Sequence, residues 1–136
     1  MSASIVNLAT ESRAPADWLE YHPIDWVAIH TATPGALSAG PAGATGVQHY
    51  LCYFSVTFSA APAIGIITVK DGTTVIWQED FSASAPFDTF RDFGKRPLRA
   101  SIGAALTVNV ATAGGSVVQT VNAAGFSVNQ GTQTSV

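Results

Sequence analysis

Few residues in this 136-residue chain could do chemistry, and their spacing can be tested directly. Asp92-Phe93-Gly94 spells the triplet whose carboxylate holds magnesium in protein kinases. The sequence has no glycine-rich phosphate loop, strand lysine or His-Arg-Asp motif to accompany it, and it is far too short for that fold. His22, His30 and His49 lack the spacing that sets two imidazoles on one helix face, and no carboxylate stands at a ligand offset from them beyond chance. Isolated histidines of this kind read as structural or surface residues. Glu79 and Asp80 are adjacent, so on a strand their carboxylates point to opposite faces and cannot share a substrate. The single cysteine, Cys52, excludes an internal disulfide and a thiolate zinc cluster. In its apolar run it reads as a small buried hydrophobe. No nucleophile elbow or Cys/His signature is present. The expectation is a protein that is not an enzyme and needs no cofactor or metal.

The densest run of charge, "RDFGKRPLRA" (91–100), then reads as a contact. It carries Arg91, Lys95, Arg96 and Arg99, and Phe87, Phe90 and Phe93 recur at threes up to and into it. Aromatic and basic residues interleaved in this way can bind single-stranded nucleic acid. Here Asp88 and Asp92 nearly balance the cations, and the whole chain has a formal net charge of −3, so no nucleic-acid partner is expected. The simpler reading has the phenylalanines anchor the segment in the fold. Arg91, Lys95, Arg96 and Arg99 would reach a carboxylate-bearing protein surface.

Charge elsewhere is sparse. Charged residues make up 11% of the chain, against roughly 25% in an average domain. They fall in two windows, 11–25 and 70–99, and residues 26–69 and 100–136 carry none. Free monomers scatter charge over their surfaces, so long neutral stretches suggest surface covered by other protein. The competing reading is a neutral β-protein kept in solution by Thr and Ser. The N-terminus lacks the basic and apolar regions of a signal peptide, and no apolar run approaches the roughly 20 residues that span a bilayer. Synthesis in the cytoplasm without membrane insertion is expected.

The elements that position these residues are strands. "ADWLEYH" (16–22) could form a helical turn, stopped by Pro23. "DWVAIHTAT" (25–33) alternates, and "PGALSAGPAGATG" (34–46) reads as a long surface loop. "HYLCYFSVTFSA" (49–60) has period two, with Tyr50, Cys52, Phe54, Val56 and Phe58 expected on one face. "AIGIITVKDGTTVIWQEDF" (63–81) is a hairpin, read with Asp71 and Gly72 as its two turn residues and with Ile66 facing Trp77. Strands at "AALTVNVAT" and "SVVQTVNAAGFSV" flank Gly114-Gly115. Seven or eight short strands with regular turns predict an all-β protein, a jelly-roll-like antiparallel β-sandwich. The expected division is an extended N-terminal arm (1–24) and a single sandwich domain (25–136).

From His49 onward, about two thirds of the chain, the order of motifs resembles a known family. An aromatic strand, "GIITVKDGTTVIWQEDF", "RPLRASIGAALTVNVA" and a closing "AAGFSVN" are similar to the capsid cement (decoration) proteins of tailed bacteriophages, in particular the jelly-roll cement proteins of short-tailed Bordetella-type phages. The resemblance implies a jelly roll, no catalysis, and a homo-oligomer on the outer surface of the virion head, bound to the major capsid protein. A homodimer is expected, with a trimer as the alternative. The contact residues would be Arg91, Lys95, Arg96 and Arg99, with Trp18 and Tyr21 from the arm. Two other classes compete. A tail or adhesin-type glycan-binding module would present Trp18 or Trp26 to sugars. A cupin-like hydrolase or isomerase would need clustered histidines on facing strands, and the sequence offers none.

Overall fold

The computed structural model describes residues 24–32, 35–84 and 87–130. The expectations for the N-terminal arm, the helical turn at 16–22, Trp18 and Tyr21 lie outside the described residues. The described residues form nine strands: β1 (Trp26–Ala32), β2 (Leu37–Ala39), β3 (Val47–Phe58), β4 (Gly65–Asp71), β5 (Thr74–Phe81), β6 (Thr89–Asp92), β7 (Leu98–Arg99), β8 (Leu106–Val110) and β9 (Gln119–Asn129).

Their pairing is nested. The innermost hairpin is β4–β5; around it β3 pairs with β6 and β7, β2 with β8, and β1 with β9, all antiparallel. The chain thus behaves as one long hairpin whose tip is the turn at Gly72. Rolling it up splits the pairs between two sheets. Sheet A has the order β1-β9-β3-β6, with β7 also on β3, and sheet B has the order β2-β8-β4-β5. With β6 and β7 counted as one interrupted strand, this is the eight-stranded order of a jelly roll. The expected fold class is therefore observed.

One core lies between the sheets. Sheet A contributes Leu51, Phe54, Val56, Phe58, Val121 and Ala123, and sheet B contributes Ile67, Val69, Phe81, Leu106, Val108 and Val110. Alternate residues of each strand supply these side chains, because successive Cβ atoms point to opposite faces. Phe54 is fully buried and makes an edge contact with Trp77 at 5.5 Å between ring centroids.

Four local expectations need correction. In the β4–β5 hairpin Asp71 pairs with Thr74, so Gly72 and Thr73 are the central turn residues, one position later than read. Gly72 has φ +61 and Thr73 is not among the residues of positive φ, which fits a type II′ rather than a type I′ turn. The register follows: Trp77 faces Val69, not Ile66, and a shift follows at Lys70. In β3 a bulge between Leu51 and Tyr53 inserts one residue and reverses the phase of the alternation. Leu51 joins Phe54 in the core, whereas Tyr50 stacks on Phe126 away from it, at 4.6 Å. The 34–46 stretch is not only loop, because β2 lies within it and buries Leu37 and Ala39. Finally, the neutral C-terminal stretch offers no open strand edge: β8 and β9 are inner strands of their sheets, with neighbours on both sides.

Candidate functional site

The basic segment lies along the β6–β7 edge of sheet A, and its residues do different jobs. Arg91 pairs with Phe54 in register and therefore points toward the gap between the sheets. There its guanidinium grips Glu79 of β5 through two hydrogen bonds, from Nε to Oε1 at 2.7 Å and from Nη2 to Oε2. This fork ties the edge of sheet A to the edge of sheet B. Arg91 is thus engaged within the chain and does not reach outward as read. Phe93 enters the core rim, 5.9 Å from Trp77 and 6.2 Å from Phe54. Phe87 packs near Phe58 at 6.4 Å. Lys95, Arg96 and Arg99 are exposed, and the side chains of Arg96 and Arg99 make no hydrogen bond or ion pair among the described residues.

Phe90 does not anchor the segment. It is 58% exposed on the outer face of sheet A, 6.1 Å from Tyr53, which is 38% exposed. Cross-strand register shows what surrounds this pair. One rung of the outer face runs Val27–Ala124–Tyr53–Asp92, the next Ile29–Asn122–Ser55–Phe90, and the third Thr31–Thr120–Thr57. Val27 and Ile29 are 62% and 65% exposed. The rungs hold one formal charge, Asp92, whose Oδ1 accepts the Gly94 N–H at 2.8 Å. The result is a neutral sheet face with aliphatic groups at the β1 end and an aromatic pair at the β6 end. Arg99, paired with Tyr50, lies on the same side, and Lys95 and Arg96 are exposed in the turn between β6 and β7. Val27, Ile29 and Tyr53 were not singled out from the sequence. The available signal was that β1 is apolar in both phases of its alternation, more than one buried face requires.

The other polar groups serve the scaffold. His49 is buried: its Nε2 donates to the Ala42 carbonyl at 2.9 Å, leaving Nδ1 to accept from the Ser127 hydroxyl at 2.6 Å. His30 donates from Nδ1 to the Ser38 carbonyl, bridging β1 and β2. The Asp71 carboxylate takes both the N–H and the hydroxyl of Ser101, at 2.9 and 2.7 Å, and locks the hairpin tip to the 101–105 loop. Asp25 accepts the Ser127 N–H, and Asp88 accepts the Phe58 N–H. Burial pushes the Cys52 thiol above its usual range, and the carboxylates of Asp92 and Asp25 push in the same direction. No group of three or more His, Cys, Asp or Glu gathers into a metal site among the described residues. An open depression of about 530 Å³ on the outer face of sheet B, bounded by Ser38, Ile66, Thr68, Lys70, Val75 and Asn109, is too shallow to enclose a small molecule.

The outer face of sheet A is thus neutral and partly aromatic, with exposed cations along the β6–β7 edge. No family model matches the chain, and no curated protein matches it in sequence.

Proposed function

We propose that this protein is a structural virion component that binds the outside of a phage head and cements neighbouring major capsid protein subunits. The observation that carries the reading is the outer face of sheet A. Val27, Ile29, Tyr53 and Phe90 stand exposed on a face with almost no charge, the composition of an interface centre with aromatic and aliphatic anchors. Arg96 and Arg99 along the β6–β7 edge would meet carboxylates on the capsid, each exposed pair adding about 0–1 kcal/mol, and many symmetric copies would multiply such contacts. The motif order from His49 onward supports the same reading, as does a scaffold tied across its open edge by Arg91 and Glu79. A clamp against internal pressure needs stiffness and adhesion and no catalytic group. Of the two tryptophans the glycan-binding alternative would present, Trp26 turns toward the interior and is half-buried, and Trp18 lies outside the described residues.

The test compares purified heads with and without this protein under heating and at low salt. Decorated heads should survive treatment that bursts bare ones. Phe90→Asp should abolish binding to heads while leaving the melting temperature of the free protein unchanged, because the ring is exposed. Equal survival of bare and decorated heads, or sedimentation of the protein with tails, overturns the proposal. So does a glycan array that gives strong signals while heads bind nothing.

A further inference from the structure

The four free edges of the sandwich are not alike. In sheet A the edge on β3 is broken into β6 and β7, of four and two residues, and carries Arg91, Asp92, Pro97 and Arg99. In sheet B one edge is β2, three residues long, and the other is β5, which bears a register shift and the charges of Glu79 and Asp80. Shortness, breaks, charge and bulges are the devices that keep sheet edges from pairing with other chains. The fourth edge, β1, has none of them. It runs seven residues, "WVAIHTA", in unbroken register with β9, without a charged residue, proline or glycine. No strand lies on its other side among the described residues. The inner side of this edge is closed by the His30–Ser38 bond, so what β1 offers is its main chain and the exposed Val27, Ile29 and Thr31.

We infer that β1 is a homodimerisation strand, pairing antiparallel with β1 of a second copy across a two-fold axis at Ile29. Ile29 is the midpoint of the strand, so this register pairs all seven residues. It sets Ile29 against its own counterpart, Val27 against Thr31, Trp26 against Ala32, and Ala28 against His30. No formal charges meet, and apolar side chains meet on the outer face. A self-complementary strand is what a two-fold interface requires, whereas a charged partner strand would find no counter-charge on β1. Main-chain hydrogen bonds would give affinity, and the Ile29 pair would fix the register. The two copies of sheet A would then merge into one sheet and present a doubled outer face. That consequence bears on the proposed capsid role and rests on it; the strand pairing does not.

The test uses the full chain in solution. Sedimentation equilibrium from micromolar to millimolar concentration should show a dimer, and Ile29→Lys should weaken self-association by about tenfold or more, because two like charges then face each other at the axis. Ile29 is exposed, so at concentrations low enough for both proteins to be monomeric this variant should melt at the wild-type temperature. In a Cys52→Ser background, Ile29→Cys should form an intermolecular disulfide on mild oxidation, while cysteine at exposed Ile64 should not. A monomer at all concentrations overturns the inference, as does a dimer that Ile29→Lys leaves intact. A chain that dimerises only after removal of residues 1–23 also overturns it, because β1 would then be covered by its own N-terminal segment. A dimer that fails to bind heads leaves the inference standing and overturns the cement proposal alone.

Discussion

Gly125 lies on the central strand of sheet A where the bulge in β3 brings two backbones unusually close, so Gly125→Ala tests that geometry sharply. A methyl group at this position would sit 1.8 Å from the Tyr50 carbonyl oxygen and 2.7 Å from a ring carbon of Trp26. Ordinary carbon–oxygen contacts begin near 3.3 Å, so about 1.5 Å of separation must be found. Side chains cannot supply it, because the nearer atom belongs to the main chain of β3. β3 pairs with β9 over almost their full lengths, and opening them at Gly125 would break ladder hydrogen bonds on both sides. Overpacking usually costs about 1–3 kcal/mol; a backbone collision between two inner strands belongs at the top of that range, near 3 kcal/mol.

The sign alone is informative. Gly125 is not among the residues of positive φ, and without the collision an alanine there would stabilise the protein by about 0.4–1 kcal/mol through the unfolded chain. Urea unfolding and thermal melting read the difference. At about 3–5 °C per kcal/mol for a domain of this size, the melting temperature should fall by about 10–15 °C. Trp26→Phe added to Gly125→Ala should recover little, because it removes the ring contact and leaves the carbonyl. A neutral or stabilised Gly125→Ala protein would refute the bulge and the register drawn through it.

Three further outcomes can be checked on the free protein. Gly72→Val should cost about 1 kcal/mol or more in thermal unfolding, since a β-branched residue resists a φ of +61. A double-mutant cycle on Arg91→Ala and Glu79→Ala should give a coupling of about 1 kcal/mol or less that fades in high salt, because the partners are 44% and 24% exposed. Cys52 should react with iodoacetamide more slowly than an unfolded thiol, with its rate inflection displaced to higher pH. Because burial and the Asp92 and Asp25 carboxylates raise this thiol in the folded state, its contribution to stability is full below the unfolded thiol's pKa. It is lost as pH climbs through the folded value, so alkaline unfolding should come later in Cys52→Ala.

Strand positions were legible because period two is a strong signal wherever one face is buried. β3, the β4–β5 hairpin and β9 all show it. What escaped were features without a period. A bulge is one extra residue, visible only as a change of phase, and from His49 to Phe54 both phases of β3 are apolar or aromatic, so no change could be seen. The hairpin register slipped by one because Asp-Gly can fill both central turn positions or straddle the strand end. The second arrangement arises here as Asp71 spends its carboxylate on Ser101, thirty residues away in sequence. β2 is three residues among Gly and Pro, and it is a strand because β8 pairs with it. Of the basic cluster, Lys95, Arg96 and Arg99 are exposed. The sequence could not show that Arg91 turns inward, since that depends on the sheet edge facing it. Nor could the threefold recurrence of Phe87, Phe90 and Phe93 sort them: on a strand, equal spacing of three alternates faces, so Phe90 points away from the side Phe93 and Phe87 occupy.

The charge distribution deserves a different explanation from the one its pattern first invites. Neutral stretches imply covered surface, but the cover need not come from a partner. β8 and β9 occupy inner positions in their sheets, and β8 alternates fully buried Leu106, Val108 and Val110 with uncharged outer residues. For these strands neutrality follows from topology. The same explanation holds for β3 and for β4 as far as Val69, which are also inner strands. It fails for β1, which is an edge strand with two of its aliphatic side chains more than 60% exposed. Subtracting what the fold explains therefore leaves a much smaller unexplained surface: one strand edge and the sheet face that continues from it through Ala124 and Tyr53 to Phe90. Val27, Ile29, Tyr53 and Phe90 gather four of the exposed large apolar side chains on this one surface, whereas Ile64 and Ile102 stand singly in loops. A partner that binds this protein by burying apolar area should contact that face, and variants on the outer face of sheet B such as Thr68→Lys should leave the binding intact.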